Sequence, residues 1–372
     1  MNLTIDQLPA HCDVLVVGAG PAGSAAATLL ARGGLDVVLI DQHAFPRDKV
    51  CGDGLIPDAH RALHRLGLLD EVMGQAQPVT HAGLISPRGI RVDVPGTLAV
   101  LPRRILDEIV CRGALRAGAR MFAPLRFVAP LEDGGRVVGA RLAQGEAGRE
   151  LRCGWVVLAS GAQPQALIAA GMALRQRASG VALRGYVRNE AMRGRIDKLE
   201  VVWHRAVAPG YGWIFPCRDA VFNVGVGAFT EHDLNLRALF EAFTRIYPAA
   251  RELVAGGQWL APPKGALLAR TIGDTPSKPG SSHTFALGIP ATALTYCMPT
   301  FSSSSRSDIG RNARPAVGDV GVYAAPQMSF SFASVWVTPP MQPSAATRKL
   351  RFIARAVAGT TPISRSVDLS RS

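Results

Sequence analysis

The chain has 372 residues, 48% of them hydrophobic and 19% charged, enough to bury a large core in one domain or two. Its net charge of +13 is uneven: residues 275–372 hold ten Lys/Arg against three Asp and no Glu, a balance of +7, and residues 1–274 carry +6. With the charge gathered at one end and no basic stripe interleaved with aromatics, nucleic acid is not expected as a partner.

Residues 13–17 are an apolar run with strand character, and Gly18, Ala19, Gly20, Pro21, Ala22 and Gly23 make G-x-G-x-x-G. Residues 24–30 are Ala/Leu-rich and read as a helix, stopped by Gly33 and Gly34. Residues 36–40 are a second apolar strand ending in Asp41. This βαβ setting is what makes the motif mean dinucleotide binding. Gly18 allows the tight turn, Gly20 lets the backbone approach a pyrophosphate, and Gly23 lets the helix pack on the strand. The helix start at Pro21 and Ala22 offers N–H groups and a positive dipole end to phosphates. Asp41 lies 23 residues after Gly18, where a carboxylate accepts from a ribose hydroxyl.

Residues 45–69 read as a loop leading into a helix. Residues 83–94 hold two short alternating strands split by Pro87-Arg88-Gly89. The spacing of Ile105, Ile109, Val110 and Leu115 predicts a helix over 104–117. A β-meander is expected over about 120–142, then a buried strand at 155–158 ending in Ala159-Ser160-Gly161-Ala162. Further strands fill 180–228, and an amphipathic helix over 234–247 is ended by Pro248. Residues 1–274 contain four serines and residues 275–372 sixteen; Glu disappears and helical period fades, the composition of an irregular segment.

Six scattered cysteines (12, 51, 111, 153, 217 and 297) include no C-x-x-C pair. That suits a reducing cytoplasm better than a disulfide framework, and no metal site is expected. The start lacks the basic and apolar regions of a signal peptide, and no run reaches the ~18 apolar residues of a membrane span.

Three further stretches join the glycine motif. Pro46-Arg47-Asp48-Lys49-Val50-Cys51-Gly52-Asp53-Gly54-Leu55 is similar to a P-R-x-K-x-C-G-x-G-L loop; its glycines around a cysteine suit a backbone pressed against a flat ligand. Arg103 with Leu106 and Asp107 is similar to R-x-x-L/F-D at a helix start, with Arg104 as an adjacent decoy. Pro209-Gly210-Tyr211-Gly212-Trp213-Ile214-Phe215-Pro216, followed by Asn223-Val224-Gly225-Val226-Gly227, looks like P-x-x-Y-x-W-x-F-P. Through these four stretches residues 1–280 resemble FAD-dependent oxidoreductases of the geranylgeranyl reductase family, within the p-hydroxybenzoate-hydroxylase-like flavoproteins.

The resemblance implies an α/β fold: a Rossmann-like, three-layer ββα FAD-binding domain with an inserted antiparallel-sheet substrate domain. The FAD-binding domain would comprise 1–75 and 101–170, the substrate domain 76–100 and 171–274, with an atypical tail at 275–372. It implies FAD held by Gly18, Gly20, Pro21, Ala22, Gly23, Asp41, Lys49, Cys51, Gly52, Arg103 and Gly161. Cys51 would lie near the flavin ring, with Tyr211 and Trp213 in a substrate channel beside it. The implied activity is hydride transfer from reduced flavin to a C=C bond of an apolar, isoprenoid-type substrate. NAD(P)H or a ferredoxin would supply electrons, and a lipid substrate would bring peripheral membrane contact; the oligomeric state is left open. The nearest alternative is a flavin monooxygenase of the same fold. A flavin halogenase is disfavoured, because that family shows W-x-W-x-I-P.

Two departures set a limit. The family's A-D-G appears as Ala159-Ser160-Gly161, which lacks the carboxylate. Its G-D/E-A-A-G segment has no counterpart beyond a superficial Gly318-Asp319-Val320-Gly321. The tail reads as out-of-frame or divergent, and an inactive or FAD-deficient variant is the reading from another class.

Overall fold

A computed structural model describes residues 2–172, 180–230, 233–268 and the backbone of 284–286. The chain begins with β1 (His11–Val17), α1 (Pro21–Arg32), β2 (Val37–Ile40) and β3 (Gly54–Leu55), then α2 (Pro57–Leu66) and α3 (Leu69–Gln75). A hairpin of β4 (Gln77–Ile85) and β5 (Arg91–Val100) precedes α4 (Arg103–Arg116). There follow β6 (Arg120–Phe122), β7 (Arg126–Asp133), β8 (Arg136–Gln144), β9 (Ala147–Leu158) and α5 (Gln165–Ala169). The rest comprises β10 (Gly180–Arg188), β11 (Leu199–Val202), β12 (Gly210–Pro216), β13 (Val221–Ala228), α6 (Leu236–Ile246), α7 (Pro248–Ala255), β14 (Gln258–Trp259), β15 (Lys264–Leu268) and β16 (Thr284–Ala286).

The first sheet runs β6-β2-β1-β9 in parallel and continues through β9 into the antiparallel β8-β7 meander. Strand β9 does both jobs: residues 147–152 pair with β8 and residues 152–158 with β1. Val14, Val16, Val37 and Leu39 face α1 and α4, where Ala26, Ala27, Leu30, Cys111 and Ala114 fill the gap. Leu15, Val17, Val38 and Ile40 face the meander through Phe127, Val137, Ala140 and Leu142. Apolar side chains on both faces of β1 and β2 therefore demand two covering layers, which is the three-layer ββα arrangement.

The second sheet is antiparallel except where β11 meets β4 in parallel, in the order β14-β10-β13-β12-β11-β4-β5-β3 with β15 also on β10. One face packs on α6 and α7 through Val224, Val226, Phe240 and Phe243. The other carries Val79, Leu98, Leu199, Val201, Trp213 and Phe215.

Several elements differ from expectation. The two short strands at 83–94 are the inner ends of one long hairpin, turned at Ser86–Gly89 with Gly89 at φ 79°. The meander is β7-β8-β9; β6 instead pairs with β2 in the parallel sheet. Pro248 ends one helix and begins the next: it occupies the first turn of α7, where its missing N–H costs nothing. Helix α3 lies outside the expected elements: Gly67 closes α2 in a left-handed conformation, and a second helix starts two residues on. Most of 275–372, including Cys297 and Gly318-Asp319-Val320-Gly321, lies outside the described residues. The exception is β16, which pairs in parallel with residues 156–158 of β9 where an irregular tail was expected.

Candidate functional site

The glycine turn leaves the end of β1 at Gly18, whose φ of 103° suits only glycine. A side chain there would run into the Ala159 carbonyl, and one at Gly23 into the Gly18 carbonyl, so helix α1 seats directly on the strand ends. Gly20 differs: a Cβ on it would lie 3.6 Å from Arg47 Nη2 and 3.9 Å from Arg103 Nη2. Two guanidinium groups thus border the space in front of it. Gly20 is also the N-cap of the 12-residue α1, and no side chain caps that end, leaving its first N–H groups for an outside anion.

Arg47 comes from the 46–55 loop and Arg103 from the start of α4. Arg103 makes a two-pronged pair with Asp107, Nε to Oδ1 at 2.6 Å and Nη2 to Oδ2 at 3.0 Å. Arg104, its neighbour, is exposed. Arg47 is less satisfied. Its Nη1 lies 3.1 Å from Asp107 Oδ2 and its Nη2 3.4 Å from Asp41 Oδ2, yet the buried Nε and Nη1 make no hydrogen bond. Arg47 Nη2 and Arg103 Nη2 beside the bare N-terminus of α1 fit a phosphate-bearing ligand, and FAD is such a ligand. Lys49 stands beside this pair; burial, then the Arg103 charge, holds its pKa below the usual lysine value.

Asp41 is buried, and its carboxylate accepts the Ala19 N–H at 3.0 Å and the His43 N–H at 3.0 Å. In the structure the residue expected to meet a ribose hydroxyl also ties the glycine turn to the end of β2. Past β9, Gly161 turns with φ 67°, and the Ser160 hydroxyl donates to the Gln163 carbonyl at 2.9 Å. Serine here closes the turn, although it supplies no carboxylate.

In the C-G-D-G-L loop, Gly52 and Gly54 press against a flat ring of this chain, Phe215: a Cβ on them would lie 3.0 and 3.3 Å from it. The Cys51 thiol neighbours the Arg103 guanidinium. Asp53, between the glycines, takes a left-handed φ of 66° and is 2% exposed.

Across the wall stands the β12–β13 pair, where Tyr211 opposes Gly227, Trp213 opposes Gly225, and Phe215 opposes Asn223. A side chain at Gly225 would occupy the Trp213 ring, and one at Gly212 the Phe243 ring behind the sheet. The alternating Gly-aromatic pattern of 210–215 therefore puts aromatics on one face and a helix tight against the other. Trp203, Tyr211 and Trp213 form a row with ring centroids 6.2 and 5.9 Å apart.

Asn223 joins the loop to the strands. Its Oδ1 accepts from Trp213 Nε1 at 2.9 Å, and its Nδ2 donates to the Cys51 carbonyl at 2.8 Å and to Asp53 Oδ2 at 2.7 Å. Arg184 Nε donates to the same Cys51 carbonyl at 3.3 Å, and the Tyr186 hydroxyl donates to Asp53 Oδ2 at 2.5 Å. Sequence reasoning assigned no role to Asp53, Arg184, Tyr186 or Asn223. The readable signal was a polar residue in an apolar strand, Asn223 amid Val and Gly.

Residues 11–220 match the model of the FAD binding domain family. A menaquinone reductase of Mycobacterium tuberculosis is 40% identical over 253 residues, covering 62% of this chain and 60% of that protein. Digeranylgeranylglycerophospholipid reductase 1 of Methanopyrus kandleri is 31% identical over 252 residues, covering 66% of this chain and 65% of that one. In fold, a geranylgeranyl bacteriochlorophyll reductase-like protein from Thermoplasma acidophilum superposes with a TM-score of 0.62 at 21% identity, covering 74% and 70% of the two chains. The glycine turn and the sheets around it are those of a dinucleotide-binding flavoprotein fold. The chain belongs to the FAD binding domain family, with geranylgeranyl-type reductases among its homologues. It spans about 60% of the length of the menaquinone reductase that it resembles.

Proposed function

We propose that this chain is an FAD-dependent oxidoreductase that saturates a C=C bond in an isoprenoid chain. When bound and reduced, FAD supplies a hydride. The turn 18–23 takes the pyrophosphate against the α1 N-terminus, with Arg47, Lys49 and Arg103 as its cationic border and Asp41 toward the ribose. Cys51, Gly52 and Gly161 border the flavin half, and Tyr211 and Trp213 face the substrate. The supporting observation is the meeting of the cysteine loop and the aromatic strand at Asn223, which makes one wall of the two.

Substrate chemistry follows from two features. The compounds in the relatives' names, menaquinone and digeranylgeranylglycerophospholipid, share an unsaturated polyprenyl chain. The aromatic row also continues into an apolar lane: Trp213 neighbours Val201, Val201 neighbours Leu84, and Leu84 neighbours Val92 across the strands. Ile90, Val92 and Val94 alternate along that lane and are 61%, 54% and 44% exposed, a surface suited to a long hydrocarbon or to the edge of a lipid layer. No helix among the described residues is long and apolar enough to cross a membrane. NAD(P)H or a ferredoxin serves as the electron donor.

The test is a product assay with the flavin-loaded protein and polyprenyl substrates. A product two mass units heavier, formed without O2 uptake, is expected. O2-dependent hydroxylation would contradict the proposal and favour the monooxygenase reading.

A further inference from the structure

The β4–β5 hairpin has two chemically different faces near its turn. On one, Arg91 Nε donates to Asp93 Oδ1 at 2.9 Å and its Nη1 to Glu200 Oε1 at 3.0 Å. Lys198 Nζ reaches Asp93 Oδ2 at 2.6 Å, and the Tyr247 hydroxyl donates to Glu200 Oε2 at 2.7 Å. Asp93 and Glu200 are thus both engaged on the side of the sheet that packs on α6 and α7. On the other side, Ile90, Val92 and Val94 alternate with these charges, and all three are exposed. From Ile90 to Val94 this strip is about 13 Å long at the rise of an extended strand.

The turn brings further groups to the end of the strip. The Trp203 N–H donates to the Ile85 carbonyl at 2.9 Å, so the chain leaves β11 alongside the turn and delivers Trp203 and Arg205 there. Trp203 is half-buried, with its ring against Tyr211. Arg88 in the turn and Arg205 beside it are exposed and have no acidic partner among the described residues. An apolar strip, a tryptophan at its side and two unpaired cations match the layers of a lipid surface: hydrocarbon, interface and anionic headgroup. A second copy of the chain fits less well. Two such faces together would set the arginines of both copies against one another, while Asp93 and Glu200 stay engaged on the far side.

We propose that the β4–β5 turn docks on an anionic lipid surface. Ile90 and Val92 enter its apolar margin, Trp203 lies at headgroup level, and Arg88 and Arg205 meet lipid phosphates. The docking rests on the polyprenyl substrate proposed above and names where that substrate enters. Val92 is the outer end of the lane through Leu84 and Val201 to Trp213, so a polyprenyl chain leaving the lipid meets apolar side chains along the whole path.

The test is co-sedimentation of the full chain with vesicles. It needs neither flavin nor substrate, so its failure is distinct from failure of the proposed function. The wild-type protein is expected to bind vesicles of equal parts phosphatidylcholine and phosphatidylglycerol, and to bind phosphatidylcholine alone weakly. Ile90→Ser combined with Val92→Ser changes no charge and should weaken binding about 10-fold or more. Arg88→Gln combined with Arg205→Gln should weaken it on the order of 10-fold, a loss that fades as salt is raised. All four positions are exposed, and either pair carries the test if the other does not fold. Residues 275–372, with their balance of +7, are the same in every variant, so binding through them alone would leave the variants equal to wild type. Equal binding by all three proteins, no binding by the wild type, or a wild-type dimer that Ile90→Ser with Val92→Ser dissociates overturns the docking.

Discussion

The glycine turn and the aromatic wall are built by different means. At the turn, function rests on what is missing: no Cβ at Gly18 and Gly23, no side-chain cap on α1, and no hydrogen bond for two nitrogens of Arg47. At the wall, every side-chain polar atom of Asn223 is engaged, and loop 51–53 is fixed from strand β13 by bonds that span 170 residues or more. An uncapped helix N-terminus bordered by cations suits a ligand, whereas a satisfied network holds a shape. Substitutions of the turn's cations should therefore cost cofactor, whereas substitutions that fill its glycine contacts or break the wall's network should cost stability.

The largest effect is expected at Gly23. Gly23→Val drives a side chain into the Gly18 carbonyl and must lift α1, destabilising the fold by about 3 kcal/mol or more. Denaturant unfolding measures it, and a loss under about 1 kcal/mol would mean that the helix seat is loose. Asn223→Leu comes next. It strands the Trp213 N–H and removes a donor each from the Cys51 carbonyl and Asp53, at a cost of roughly 2–3 kcal/mol. Unchanged stability there would erase the distinction between the two regions.

Asp53 gives the wall a pH signature. Its folded pKa is raised to about 6, so the folded state holds the proton more tightly than the unfolded chain. The resulting stability is fully present below the unfolded carboxylate value near 4 and is lost as pH rises through about 6, a span on the order of 3 kcal/mol. The difference in unfolding free energy between wild type and Asp53→Asn, followed from pH 4 to pH 7, should show that slope; a flat difference would place the proton elsewhere. The smallest stability effect is expected at the turn's cation. Arg47→Met should leave folding within about 1 kcal/mol while weakening flavin binding roughly 10-fold or more, because Asp107 keeps its two bonds to Arg103 and Asp41 its two backbone N–H donors. Arg104→Met, on the exposed neighbour of Arg103, should alter flavin affinity little; equal losses in both variants would mean that the anion site lies elsewhere.

This contrast also explains what could be read from the chain. The glycine turn, α1 and β2 are local: spacing within 30 residues carries the strand, turn and helix, and the structure places them together. Arg103 was set apart from Arg104 by its match to R-x-x-L/F-D, and the structure buries it on the helix face that it shares with Asp107. The wall was legible only in part. Tyr211 and Trp213 stood out as aromatics, but Asp53 and Asn223 meet only once β3 and β13, 170 residues apart in sequence, join one sheet, and no local period encodes that pairing. The same non-locality hid the partner of Gly52 and Gly54, where the flat surface is Phe215. Pro248 misled in the opposite way, because one residue type both ends and starts helices.

The most direct measurement of the central claim is flavin content: the visible spectrum of the purified chain, with the released cofactor identified and counted. The account predicts a yellow protein that carries FAD at close to one per chain and loses most of it in Arg47→Met. A colourless wild-type protein that takes up no added FAD would contradict it.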